Sequence, residues 1–196
     1  MSIIKKGVIF ILTVSICMFI FWGCGQEGVD TKSPESAVKS LIRSYQEQDI
    51  QAVKECYGID TDEDAQEDIQ KEMDYNLRLF KAYQAESIDF EKSDCLGKSG
   101  DSQLIYVRYN FETEDGDKKY PALSFYFVNK KDKTYCVVPA KDVTEEMSKY
   151  SRSAYEKFMG TSTYKNYEKD LEEFKKNYPS YKEELDKRFS QQANDT

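Results

Sequence analysis

The sequence predicts an α+β fold in which N-terminal helices pack on a curved antiparallel sheet and a helical extension follows. Apolar residues recur at helical spacing over residues 34–83, alternate strictly over 102–139, and return to helical spacing after residue 143. A chain of 196 residues has room for one ordinary domain with appendages. Its hydrophobic fraction of 39%, with 15 Tyr and 11 Phe, excludes a disordered chain.

The amino terminus has the pattern of an export signal. Two lysines precede an apolar run over residues 7–22, and no acidic residue occurs before Glu27. A membrane-spanning helix needs about 20 residues, so this run is short for one. Gly23 followed by Cys24 resembles the end of a bacterial lipoprotein signal of the Gram-positive type, in which the cysteine is lipidated; Cys17 fits this pattern less well. An uncleaved signal anchor is the alternative.

The lipoprotein interpretation predicts both the location of the protein and what holds it there. Residues 1–23 are the signal peptide, Cys24 carries a diacylglyceryl group, and residues 24–33 form a flexible tether. Two acyl chains, such as palmitate, anchor a protein stably where one chain is marginal. On either interpretation the chain is held at the cell membrane and faces outside, because the lysines keep the amino end inside.

Three helices are predicted before the sheet. Ser33 caps the first, with Pro34 in its first turn, and Asp49 caps a short second helix that stops at Gly58. The third follows an acidic stretch at residues 60–68 and continues to about residue 83. The predicted inward residues of the three helices are Ala37, Val38, Leu41, Ile42, Tyr45, Ile50, Val53, Tyr57, Ile69, Met73, Leu77 and Phe80.

Alternating apolar residues predict four antiparallel strands. The first begins near Ile88 and ends near Cys95. An Asp-Gly hairpin signal at residues 114–117 separates the second from the third, and Pro139 closes the fourth. The residues that define the second and third strands are Ile105, Val107, Tyr109, Phe111, Leu123, Phe125 and Phe127.

Residues 141–190 are predicted to form a helical extension, and residues 191–196 a disordered tail. Within the helical extension, aromatic residues at alternating spacings of three and four line one helix face, as in a coiled-coil seam. Two interpretations of this stripe stay open. It docks on the protein's own sheet or first helices, or it is a partner surface, since Tyr is enriched at interaction hot spots. The candidate partner residues are Tyr164, Tyr167, Phe174 and Tyr178.

Part of the chain resembles a known family. The stretches Ser-Pro-Glu-Ser-Ala-Val at 33–38 and Gln-Asp-Ile-Gln-Ala at 48–52 resemble the opening of nuclear transport factor 2-like domains. The segment Lys-Thr-Tyr-Cys-Val-Val-Pro at 133–139 resembles their final strand, with Tyr in place of the usual Trp. The resemblance covers residues 34–140. It implies a cone formed by helices over the concave face of a sheet, and such domains often pair through the outer face.

The resemblance leaves the function open, because members of this superfamily range from isomerases and dehydratases to non-enzymatic transport and assembly modules. Enzyme members use Asp, Tyr or His inside the cone. No Asp of this chain lies at a clearly inward strand position. A buried Tyr is usually a packing residue with one satisfied hydroxyl. The candidate phenolic donors are Tyr45, Tyr106, Tyr109 and Tyr126.

Composition excludes several classes of chemistry. The chain has no His, which removes Ser-His-Asp and Cys-His catalysis and most zinc sites, and its net charge of −8 disfavours nucleic acid as a partner. The carboxylates at 60–64 invite a calcium interpretation, but Ala65 and Lys71 stand where an EF-hand needs Gly and Glu, so an acidic helix start is favoured. Neither a cofactor nor a metal is predicted.

After Cys24 the chain keeps three cysteines, an odd number that permits at most one disulfide. Their spacing selects no pair, and Cys56 and Cys136 are expected to be small buried hydrophobic residues.

These observations predict a lipid-anchored, extracytoplasmic binding protein with no catalytic step. Its partner is either a protein of the cell envelope or a small apolar ligand. The alternative is a small-molecule lyase or isomerase that uses the cone as its pocket. Polar residues clustered at the mouth of an open cone would favour the enzyme, and an apolar, plugged cone would exclude it.

Overall fold

A computed structural model describes residues 28–113 and 118–192. The predicted signal peptide, Cys24, the Asp-Gly turn and most of the predicted C-terminal tail lie outside these residues. In chain order the elements are α1 Pro34–Glu47, α2 Ile50–Cys56, α3 Glu67–Tyr83, β1 Ser87–Ser99, β2 Ser102–Glu112, β3 Lys119–Lys131, β4 Thr134–Val137, a 3-10 turn Ala140–Asp142, α4 Glu145–Met159, α5 Ser162–Asn177 and α6 Tyr181–Gln192.

The predicted α+β class is confirmed: helices pack on a four-stranded antiparallel sheet in the order β1-β2-β3-β4. In the register, Tyr109 of β2 lies opposite both Phe90 of β1 and Ala122 of β3. Strand β1 is interrupted by irregularities after Phe90 and after Cys95. Such bulges increase local twist and bend a strand, which curves this edge of the sheet.

Helices α1, α2 and α3 cover one face of the sheet and form the cone with it. Ser33 caps α1 as predicted: its hydroxyl accepts the Ser36 N–H at 3.1 Å, and the Ser36 hydroxyl accepts the Ser33 N–H at 3.0 Å. Asp49 caps α2 by accepting two backbone N–H groups. Most of the predicted inward residues of these helices are buried in one core with Ile105, Val107 and Phe111 of the sheet.

Helices α4 and α5 cover the opposite face of the sheet. Leu104 and Phe127 are buried there with Met147 and Ala154 of α4. The sheet therefore lies between two helical layers, and apolar residues point to both faces. On β3 the predicted alternating residues Phe125 and Phe127 face α4, whereas the cone side carries the smaller or polar-tipped residues Ala122, Ser124, Tyr126 and Val128.

One glycine of β1 allows α4 to approach the sheet closely. Gly97 has φ +133°, a conformation that a side chain rarely adopts, and the Tyr150 hydroxyl occupies the position of an added Cβ. That hydroxyl donates to the Leu96 carbonyl at 3.3 Å. Gly97 also lies at the second irregularity of β1. The strand continues past this irregularity to Ser99, four residues beyond the end predicted near Cys95.

An ion cluster fixes α5 on the sheet. The guanidinium of Arg108 on β2 lies 2.6 Å from a carboxylate oxygen of Glu91 on β1 and 2.5 Å from one of Asp170 on α5. Only 11% of the Arg108 side chain is exposed, so water screens these pairs less than it would at the open surface. No helix in the described parts of the chain is long and apolar enough to cross a membrane.

Candidate functional site

The interior of the cone is filled by the protein's own side chains. Tyr45 of α1 has no exposed surface, and its ring lies 5.3 Å from that of Phe80. Phe111 of β2 meets the rings of Phe80 and Tyr109 edge-on at 5.2 and 5.3 Å. Contacts of this kind add to the burial of the rings themselves. These aromatic residues pack against one another inside the cone.

A chain of polar contacts runs through one side of this core. The hydroxyls of Tyr45 and Tyr57 lie 2.8 Å apart, and the Tyr57 hydroxyl donates to Glu72 at 2.9 Å. The second carboxylate oxygen of Glu72 accepts the Ala140 N–H at 2.8 Å. The network therefore joins α1, α2 and α3 to the turn that follows β4.

Burial raises the pKa of Tyr45 well above its usual value, and that of Tyr57 further still. The nearby Tyr45 phenol and Glu72 carboxylate raise the pKa of Tyr57 further. A Tyr57 phenolate would place its negative charge beside that of Glu72, which is unfavourable. Both phenols stay protonated at neutral pH. The network can hold a carboxylate in place, and its phenols are poor acids that leave no phenolate at neutral pH to act as a base.

The four tyrosines predicted as candidate donors divide between the two faces of the sheet. Tyr45, Tyr109 and Tyr126 lie on the cone side, where Tyr109 shares a hydrogen bond with Ser124 at 3.2 Å. Tyr106 lies on the other face, with its ring 4.6 Å from Phe158 of α4.

Glu72 was missed by the sequence analysis because a charged residue does not count toward an apolar face. A usable signal existed. Glu72 lies three residues after Ile69, so it shares a helix face with a core residue.

The aromatic stripe of α5 faces the protein itself. Tyr164 packs against Tyr155 and Phe158 of α4, with ring centroids 5.8 and 6.0 Å apart, and Tyr167 follows it at 6.2 Å. Phe174 is buried against Tyr120 of β3 at 5.1 Å. This is the docked arrangement that the sequence analysis left open. A partner role for the exposed part of the stripe stays a prediction.

A cleft of about 250 Å³ lies beside the end of this stripe, where α5, α6 and the start of β3 meet. Its walls are four aromatic rings and two leucines, and two lysines, Pro179 and Asp186 complete it. We call it the α5–α6 cleft. The apolar wall residues are Tyr120, Leu171, Phe174, Tyr178, Tyr181 and Leu185.

The floor of the α5–α6 cleft is fixed by contacts from several elements. The rings of Tyr120 and Tyr181 stack at 5.4 Å, and Phe174 meets Tyr181 edge-on at 5.0 Å. The Tyr181 hydroxyl donates to the Tyr83 carbonyl at 3.4 Å, and Arg188 of α6 donates to the Ala82 carbonyl at 2.7 Å. These contacts hold the floor of the cleft against α3 and β3. Because its walls come from distant segments, no local pattern in the sequence reveals it.

The acidic stretch at residues 60–64 has a local structural role. Asp60 accepts the Asp62 N–H at 3.2 Å, and Lys54 donates to the Glu63 carbonyl at 2.7 Å. Helix α3 begins only at Glu67, with two acidic residues in its first turn. Within residues 28–113 and 118–192, no group of three or more Cys, Asp or Glu residues is arranged to hold a metal ion.

Cys56, Cys95 and Cys136 are all free thiols. Cys56 is buried as expected, Cys136 only partly. Burial raises the pKa of Cys56 to about 12.

Comparison of the chain with protein-family models, with curated proteins and with solved structures finds no match. The resemblances to lipoprotein signals and to nuclear transport factor 2-like domains therefore stay predictions from the sequence.

Proposed function

We propose that this protein is a lipid-anchored interaction protein on the outer side of the cell membrane, and that its α5–α6 cleft takes an apolar side chain of an envelope protein. The observation that carries the proposal is the cleft itself. It is lined by aromatic rings, open to solvent, and built on a floor that other contacts hold in place.

The filled cone supports binding over catalysis. A lyase or isomerase of the cone type would need interior space beside its polar groups, but here the rings of Tyr45, Phe80, Tyr109 and Phe111 pack against one another. The polar groups that the interior holds satisfy each other, as in the contacts among Tyr45, Tyr57 and Glu72. The interior therefore supports a stabilising role for these residues.

The size of the cleft favours a protein side chain over a whole small ligand. Sites for drug-sized ligands usually have volumes of about 300–1,000 Å³, and a cavity of about 150 Å³ is enough for benzene. At about 250 Å³ the α5–α6 cleft matches one aromatic or aliphatic group. An anchoring side chain of this kind is what interaction hot spots supply.

The start of the described chain supports a position close to the membrane. Val29 packs on the core of the cone, and the Asp30 N–H donates to Ser40 at 2.9 Å. The Thr31 carbonyl accepts the Tyr135 N–H of β4 at 2.9 Å. Part of the predicted tether is therefore docked on the domain. From Gly28 to a lipidated Cys24 the chain reaches at most about 14 Å.

Site-specific photocrosslinking in intact cells tests the proposed cleft. A photoreactive phenylalanine analogue replaces Lys175, which lines the cleft, or Lys176, the exposed neighbour that does not. We expect a discrete crosslinked protein from position 175 and little from position 176. Equal yields from both positions, or no product from position 175, would contradict the proposal.

The anchor has its own test. A Cys24→Ala variant should either appear in the medium or accumulate unprocessed, and it should lack the mass of acyl chains. Intact-protein mass spectrometry of the membrane and soluble fractions measures both. If the variant kept the wild-type membrane fraction and the wild-type processed mass, the lipid anchor would be wrong while the cleft proposal stood.

A further inference from the structure

Helices α5 and α6 carry charged residues of both signs, and three of these residues line the α5–α6 cleft. Lys175 and Lys182 line it, and Asp186 is the one carboxylate among the lining residues. The other six acidic residues of the two helices do not line it, and neither do their other five basic residues. The acidic ones are Glu168, Asp170, Glu172, Glu173, Glu183 and Glu184.

A third lysine extends this basic rim. The Lys118 ammonium lies 5.5 Å from the centre of the Tyr178 ring, in the range of a cation–π contact. Lys182 pairs with Asp186 at 2.5 Å, whereas Lys175 has no ion pair within the described chain. Among the described residues, the rim therefore holds three ammonium groups and one carboxylate, and that carboxylate is paired with Lys182.

The sign of this rim is opposite to that of the protein. The whole chain carries a net charge of −8. At physiological ionic strength charges act over about 8 Å, so a group bound at the cleft senses the rim lysines more strongly than distant carboxylates.

From the excess of lysine at this rim we infer that the α5–α6 cleft selects an acidic peptide segment: an aromatic or aliphatic side chain enters the cleft, and flanking carboxylates contact the rim lysines. The inference rests on the proposed function, since it names the chemistry of the partner that the cleft takes. Charge complementarity of this kind gives specificity and association rate.

Three short labelled peptides test the inference by fluorescence anisotropy. The first has a phenylalanine between two pairs of glutamates, the second replaces the glutamates with lysines, and the third replaces the phenylalanine with glycine. The full-length protein is used in a non-ionic detergent. Because the whole chain is acidic, non-specific attraction favours the lysine peptide, so a preference for glutamate has to come from the cleft.

We expect the glutamate peptide to bind about tenfold more tightly than either other peptide at low salt, where charge effects are largest. In 0.5 M salt the screening length falls to about 4 Å, so the preference for glutamate over lysine should shrink. Lys175→Glu should lower the affinity of the protein for the glutamate peptide about tenfold, and Lys176→Glu should change that affinity less than twofold. These two variants make the same charge change on neighbouring exposed residues.

Equal binding of the glutamate and lysine peptides would overturn the inference and leave the proposed apolar contact standing. Binding that Lys176→Glu weakens as much as Lys175→Glu would overturn it as well, because the charge effect would then not belong to the cleft. Absence of binding by all three peptides would also overturn it, and the crosslinking at position 175 would then decide separately whether the proposed function stands.

Discussion

At the scale of single residues, the Tyr57 hydroxyl is the central polar atom of the core. It contacts both the Tyr45 hydroxyl and the Glu72 carboxylate, and Glu72 in turn holds the backbone of Ala140. Removing the Tyr57 hydroxyl leaves the buried Tyr45 hydroxyl and the partly buried Glu72 carboxylate with one partner fewer, which is more costly than losing a hydrogen bond at the surface.

We therefore expect Tyr57→Phe to lower the free energy of unfolding by about 1–3 kcal/mol. The matched control is Tyr75→Phe, because Tyr75 is 49% exposed, and it should change stability by less than about 0.5 kcal/mol. Urea unfolding followed by circular dichroism measures both variants. Equal stability of the two would show that the network contributes nothing.

The three thiols should differ in reactivity. Burial raises the pKa of Cys56 to about 12, so at pH 8 almost none of it is the reactive thiolate. Iodoacetamide at pH 8 should spare Cys56 while it labels the partly exposed Cys95 and Cys136. Labelling in urea is the control, since all three should then react. Peptide mass spectrometry that found Cys56 labelled as fast as Cys95 in the folded protein would refute this assignment.

At the scale of elements, α6 covers one end of the cone. Tyr181 and Leu185 are buried with Ala82 and Phe174, and Tyr120 and Tyr83 pack at the edge of the same cluster. Helix α6 contacts α3 rather than the sheet alone, so it ties the C-terminal extension to the first helical layer.

Ending the chain after Pro179 should therefore lower the free energy of unfolding by about 2–4 kcal/mol. Burial of each large side chain contributes about 1.5–3 kcal/mol, and the unfolded chain already buries part of that surface. Ending the chain after Gln192 is the control and should have no effect. Thermal unfolding measures all three chains. An unchanged midpoint in the shorter one would show that α6 is not part of the packed domain.

Periodicity in the sequence was enough to predict the helices and the four strands, because each buried face repeats at the spacing of its element. It failed where burial is two-sided or local geometry changes. The third strand carries apolar residues toward α4 and mixed residues toward the cone, and the irregularities of β1 broke the alternation near Gly97. The α5–α6 cleft could not be predicted, since Tyr120 and Tyr181 are distant in sequence.

At the scale of the whole molecule, the C-terminal extension closes the outer face of the sheet. Phe125 and Phe158 meet there at 5.6 Å, and the ion pair between Arg108 and Asp170 holds α5 in place. Cone domains that pair through this face need it open. In this protein the same surface instead carries helices that present the α5–α6 cleft to solvent.

The proposed function places the contact site for a partner in the cell envelope at the α5–α6 cleft. Hydrogen exchange of the full chain tests it most directly, measured once in native membranes and once after purification in detergent. We predict slower exchange in membranes at residues 171–186, with α2 unchanged between the two samples. Equal exchange at residues 171–186 in both samples, or protection confined to another surface, would contradict the claim.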